Sequence, residues 1–218
     1  MNKPTLLLAI LLFLPTIVAT AQQQMETAYG DRIAELTTDE RFLNEMVDHL
    51  PDSETVASPL DYFGTIIGDP GGLHYTSEIY GYLRALAEAS PRVQVRTTGW
   101  TEENREMIEV IVTSMHLMEN LDTYQGYLNR LADPRTLTDE EAEEIIEKAR
   151  PIYYIIAGLH SPETGSPEMV MELAYRLAVS DSPMIEAIRD KVIFIFTPVA
   201  EPDGRDRVVD TYRYAGKR

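Results

Sequence analysis

Two uninterrupted apolar runs limit most sharply what this chain can fold into. Ile152 to Leu159 contains Tyr153, Tyr154, Ile155 and Ile156 with no polar break, and Val192 to Thr197 repeats the pattern. Runs of this length suit strands buried on both faces, as in parallel sheets. Between them, Ser166-Pro167 opens a helical pattern with Val170, Leu173, Ala174 and Leu177 on one face, and Ser182-Pro183 opens a shorter one. Strand, helices and strand in that order predict a βαβ unit in a parallel or mixed sheet. With 44 % apolar residues in 218, the chain can bury a sizeable core beneath it.

Upstream, Thr76 is placed to cap a helix whose apolar face is Ile79, Tyr82, Leu83, Leu86 and Ala87, stopped by Ser90-Pro91. Val93 and Val95 alternate with polar residues, Gly99 to Asn104 reads as a turn, and Met107 to Val112 as a second strand, giving a hairpin. Residues 115–150 hold two helical patterns. The first carries Leu117, Leu121, Tyr124 and Leu128, and the second is capped by Thr138 and Glu141. The acidic run from Asp139 to Glu144 reads as a solvated face that also suits a helix N-terminus. Nearer the start, residues 22–31 read as a flexible lead. Thr37 and Glu40 stand at capping-box spacing ahead of an apolar stripe of Phe42, Leu43, Met46, Val47 and Leu50. Residues 51–72 read as a Pro- and Gly-rich loop with an apolar turn at Phe63 to Ile67.

Residues 1–21 have the order of an export signal: Lys3, an apolar stretch from Leu6 to Val18, and the small-x-small site Ala19-Thr20-Ala21 before Gln22. Cleavage after Ala21 and a secreted or periplasmic location are expected, without a stable membrane anchor, because the stretch is short for a bilayer span. The formal net charge of −17, from 19 basic and 36 acidic side chains, argues against a nucleic-acid partner. The chain has no cysteine, so disulfides and thiolate metal sites are excluded, and any metal must be held by His, Asp or Glu.

Of four histidines, His49, His74 and His116 read as surface or helix-end residues. His160 follows the first buried strand, where sites of open α/β sheets form. It makes an H-x-x-E pair with Glu163 across Pro162. An imidazole and a carboxylate so spaced on a loop can converge on one zinc ion, leaving a position for water. The competing reading is that both satisfy loop backbone groups. Glu168 and Glu172, on the following helix, read as solvated.

Five segments in order resemble the zinc metallocarboxypeptidases of the carboxypeptidase A type. His74 to Tyr80 resembles the family's Y-x-T-x-x-E-I helix, and Ser90 to Val93 its P-x-L-V strand start. Gly99 to Val112 is similar to its hairpin, with Glu103 and Arg105 kept and Asn104 where Gly is usual. Ile155 to Glu163 resembles its zinc loop, with Pro162 where Arg is frequent, and Pro198 to Gly204 its N-P-D-G loop, with Glu201 in place of Asn. The resemblance spans about residues 73–205.

It implies a three-layer α/β/α fold with a mixed, mainly parallel sheet, of the phosphorylase/hydrolase-like zinc exopeptidase type, apparently truncated. It implies Zn2+ held by His160 and Glu163, and hydrolysis of C-terminal peptide bonds of peptides or proteins by a zinc-activated water. The family's third zinc ligand and its catalytic Glu belong downstream of Gly204, and no histidine follows His160. The expected organisation is therefore a signal peptide (1–21), a lead with an acidic helix (22–72), and the N-terminal half of a catalytic domain (73–218) with a helical insertion at about 115–150. Such a fragment is expected to be inactive alone. The alternatives are a zinc amidohydrolase, as a deacylase or cell-wall peptide amidase of related fold, and a non-catalytic exported binding protein.

Overall fold

The computed structural model describes residues 23–217, and the expected export signal lies outside them. The strands are β1 (Val93–Trp100), β2 (Glu106–Val112), β3 (Ile152–Ile156) and β4 (Ile193–Thr197), in the spatial order β1-β2-β4-β3. β1 and β2 form the expected antiparallel hairpin, β2 is antiparallel to β4, and β3 is parallel to β4. The sheet is mixed, as expected. Its parallel part among the described strands is the β3–β4 pair, which narrows the expectation of a mainly parallel sheet to that pair.

The helices are α1 (Thr27–Leu36), α2 (Pro59–Phe63), α3 (Thr76–Ala89), α4 (Met115–Glu119), α5 (Leu121–Ala132), α6 (Asp139–Lys148), α7 (Gly165–Val179), α8 (Pro183–Arg189) and α9 (Pro202–Ala215). Strand alternation sends Ile108, Val110, Val112 and Phe196 to one face, where they pack with Leu83 and Leu86 of α3 and Val170 and Ala174 of α7. Ile111 and Ile193 point to the other face and meet Leu117 of α4 and Tyr124 of α5. The result is helix, sheet and helix in three layers. No helix among the described residues is long and apolar enough to cross a membrane.

β3 departs from expectation. Ile152, Tyr153, Tyr154 and Ile156 are 44 to 59 % exposed, where burial on both faces was predicted. Among the described residues β3 pairs only with β4 and stands at the sheet edge. An apolar run specifies strand, but it does not say whether both edges are paired.

The lead is ordered rather than flexible. Met25 bridges to Pro51, and α1 buries Tyr29 completely. The helix predicted from Thr37 does not form, because short polar side chains take its backbone N–H groups locally. Thr37 Oγ1 donates back to the Ile33 carbonyl at 2.7 Å, closing α1. Asp39 accepts from Arg41 N at 2.9 Å in a single 3-10 turn over Glu40–Phe42, and Asn44 accepts from Met46 N at 3.0 Å. In the predicted loop, Ser58 and Asp61 form a reciprocal capping box that starts α2. The first helical pattern of 115–132 is broken at Asn120, whose side-chain amide donates to the His116 carbonyl at 2.8 Å.

Candidate functional site

The site is built where β3 and β4 leave the sheet side by side. Ala157 N donates to the Thr197 carbonyl at 2.9 Å, and Ala200 N to the Ala157 carbonyl at 2.8 Å, so the parallel alignment continues past both strands. Gly158 then turns the chain with φ of +62°. A side chain there would be strained, and its Cβ would stand 2.9 Å from Pro167 Cγ at the start of α7. Gly158 N donates to Ser166 Oγ at 3.0 Å, tying strand exit to helix start.

Between them lies the loop of His160 and Glu163. Glu163 N donates to the His160 carbonyl at 2.9 Å, which curls the turn around Pro162. His160 Nδ1 and Glu163 Oε1 stand 3.0 Å apart. The structure therefore brings the two predicted residues to one point. Their side chains are 69 and 67 % exposed, so the lead does not cover them. The donor chemistry, one imidazole nitrogen and one carboxylate oxygen, fits two ligands of a zinc site. Among the described residues no group of three or more His, Asp and Glu forms a metal cluster, so the pair supplies only part of a complete ligand set.

The loop is fastened from below by α9. Glu201 caps α9, accepting from Gly204 N at 2.9 Å, and the same carboxylate oxygen accepts from Ser161 Oγ. The Glu that replaces the expected Asn thus spans from helix cap to loop. Gly204 is required here, since a Cβ would stand 2.0 Å from both Ser161 Oγ and Glu201 Oε2.

A buried ion pair joins three segments beneath the loop. Glu168, in the first turn of α7, accepts from His74 N at 3.0 Å and lies 2.7 Å from His74 Nδ1. Arg205 of α9 donates to the same carboxylate and to the His74 carbonyl at 2.8 Å. All three are buried, with Arg205 only 1 % exposed. Burial pulls the Arg205 guanidinium below its usual value, opposed by the Glu168 charge. Glu168 is not the solvated residue predicted, and His74 is not at the surface. Each is buried because the other two partners satisfy it. Glu172 is half-buried and accepts from Tyr29 OH at 3.0 Å, and burial raises its carboxyl above the usual value.

The hairpin tip docks on the same helix. Asp203 accepts from Thr101 Oγ1 at 2.7 Å and from Arg105 at 2.8 Å. Asp206 accepts from Arg105 Nε at 2.9 Å and from Thr76 N at 2.8 Å. Asn104 has φ of +60°, the left-handed conformation that asparagine tolerates better than most residues, at the position where Gly was noted as usual. The segments read in order along the sequence therefore converge on α9. That helix itself escaped prediction, because a charged sequence with few apolar positions hides it. Of the remaining histidines, His49 sits against its neighbour Asp48 and His116 lies on α4.

A family model described as Zinc carboxypeptidase matches residues 79–218. Among solved structures, thrombin activatable fibrinolysis inhibitor is similar at 17 % identity and a TM-score of 0.48, over 72 % of this chain and 30 % of its own. A putative carboxypeptidase A from Shewanella denitrificans OS-217 matches at 23 % identity and a TM-score of 0.41, over 61 % of this chain and 27 % of its own. The carboxypeptidase A from Helicoverpa armigera matches at 19 % identity and a TM-score of 0.44, over 65 % of this chain and 28 % of its own. No curated protein matches. The chain thus spans less than a third of the length of these three solved proteins. The family match extends over more than half of the 218 residues, and by it the chain belongs to the zinc carboxypeptidase family.

Proposed function

We propose that this chain carries part of the metal centre of an exported, zinc-dependent carboxypeptidase acting on the C-terminal peptide bonds of peptides or proteins. The observation that supports this is the approach of His160 Nδ1 to Glu163 Oε1, 3.0 Å apart on a solvent-facing loop fastened to α9. The chemistry that bound zinc supplies is Lewis acidity, toward a carbonyl and toward water. His160 and Glu163 hold it, Ser161 and Glu201 hold the loop, and the buried Glu168–Arg205 pair holds the helices beneath. Export rests on the signal pattern of residues 1–21.

Two donors give a weak site, because zinc in proteins takes three or four protein ligands. Equilibrium dialysis of the 218-residue chain is expected to show weak, stoichiometric zinc binding that H160A and E163A each reduce at least tenfold. Zinc binding unchanged in both variants would refute the ligand assignment. The chain alone is expected to release no residue from peptide C-termini with zinc added. Zinc-dependent release would refute the view that catalytic groups lie outside it. Secreted protein is expected to start at Gln22, as read by N-terminal sequencing.

A further inference from the structure

A cavity of about 450 Å³ lies between residues 67–73, α7 and α9, beginning at Thr164 and Gly165 just past Glu163. This volume is in the range that takes a small organic molecule. Its walls are mainly apolar: Ile67, Leu73, Met169, Val208 and Tyr212. Three carboxylates line it, and the structure separates them. Asp69 is held by Arg32 through two hydrogen bonds of 3.1 and 2.6 Å. Glu168 is held by Arg205 and His74. Glu172 has no cation hydrogen-bonded to it among the described residues. Its one hydrogen-bond donor is the neutral hydroxyl of Tyr29, which in turn accepts from Ile67 N at 3.1 Å. Arg176, one turn further along α7, acts on Glu172 through charge alone; its guanidinium lines a different cavity with His49 and Pro183 and donates to the His49 carbonyl.

An apolar cavity with one carboxylate to which no cation is hydrogen-bonded selects a matching ligand. We infer that this cavity binds a small hydrophobic primary amine, with its ammonium on Glu172 and its apolar body against Leu73, Met169 and Val208. A neutral molecule of the same shape offers Glu172 no charge-assisted hydrogen bond, and an anion is repelled by it, since Asp69 and Glu168 are already paired with arginines. Charge-assisted hydrogen bonds are roughly twice as strong as neutral ones, and stronger still where water is scarce.

The test uses the full chain without metal, so it is independent of the peptidase reading. Binding of 2-phenylethylamine, 2-phenylethanol and 3-phenylpropionate is followed by ligand-observed NMR titration at neutral pH. Saturable amine binding is expected, at least tenfold weaker for the alcohol and absent for the acid. Equal binding of amine and alcohol, or no saturable binding of the amine, would overturn the inference without any variant. E172Q keeps an acceptor for Tyr29 and is expected to weaken the amine at least tenfold while leaving the alcohol unchanged. V208W, which fills the chamber from α9, is expected to abolish both. Amine affinity unaltered in E172Q or in V208W would place the ligand elsewhere and reject the site.

Discussion

Gly204 shows how narrowly single atoms define the platform under the loop. Any side chain must displace Ser161 and Glu201, which meet where its Cβ would be. Gly204→Ala is expected to cost about 2 kcal/mol, within the usual range for a strained substitution, read from the urea midpoint. A change below the scatter of surface mutations would show that the cap and loop shift freely. Glu26 and Glu172 set a pH dependence. Burial holds both carboxyls above the usual 4.5, so the folded state binds these protons more tightly than the unfolded chain. Their contribution favours folding below pH 4.5 and is lost as pH rises through the folded-state values. E172Q removes one such group, so the variant's stability relative to the parent should rise between pH 4 and pH 7. A difference that stays flat, measured by denaturation across that range, would contradict this. The meeting of His160 and Glu163 on one loop was legible because the motif is contiguous and follows an apolar run. Glu168 was not, because its partners lie 94 positions upstream and 37 downstream, and a helical pattern alone assigns a glutamate to solvent.

At the level of elements, β3 presents an apolar edge with no strand beyond it among the described residues. Unpaired N–H and C=O groups beside Ile152, Tyr154 and Ile156 form a template for another strand. The chain is expected to self-associate with rising concentration. The double variant Ile152→Lys, Ile156→Lys should stay monomeric at tenfold higher concentration by light scattering after gel filtration. A parent that remains monomeric throughout would show that the edge is protected. α6 was readable from local chemistry, since its Thr138–Glu141 capping box forms as expected, whereas α3 was readable from its apolar face although its N-cap is Tyr75 and not Thr76. Two kinds of segment were not. Asp39 and Asn44 bind nearby backbone and divert an apolar stripe from the helix that its spacing suggests. α9 has its buried positions filled by Pro202, Arg205 and Val209, so its periodicity is carried partly by a charged residue.

Across the whole molecule, the lead and the sheet are one body. Tyr29 reaches Glu172, Tyr175 OH donates to the Pro51 carbonyl at 2.8 Å, and Tyr82 OH donates to the Ala57 carbonyl at 3.2 Å. Removing residues 1–57 would uncover Tyr175 and Tyr82 and delete Tyr29, Leu50 and Val56 from the core. The shortened chain is expected to lose its cooperative thermal transition. A sharp transition retained in it would mean that the lead is an accessory. The same contacts dictate the order in which structure can appear. During synthesis, α1 first meets residues 50–69 and gains its hydrogen bond to α7 only after residue 172, and β2 gains its second neighbour only with residues 193–197. The β1–β2 hairpin and α3 need only residues 76–112, but the lead and the inner sheet face close together after residues 172–197 have joined them.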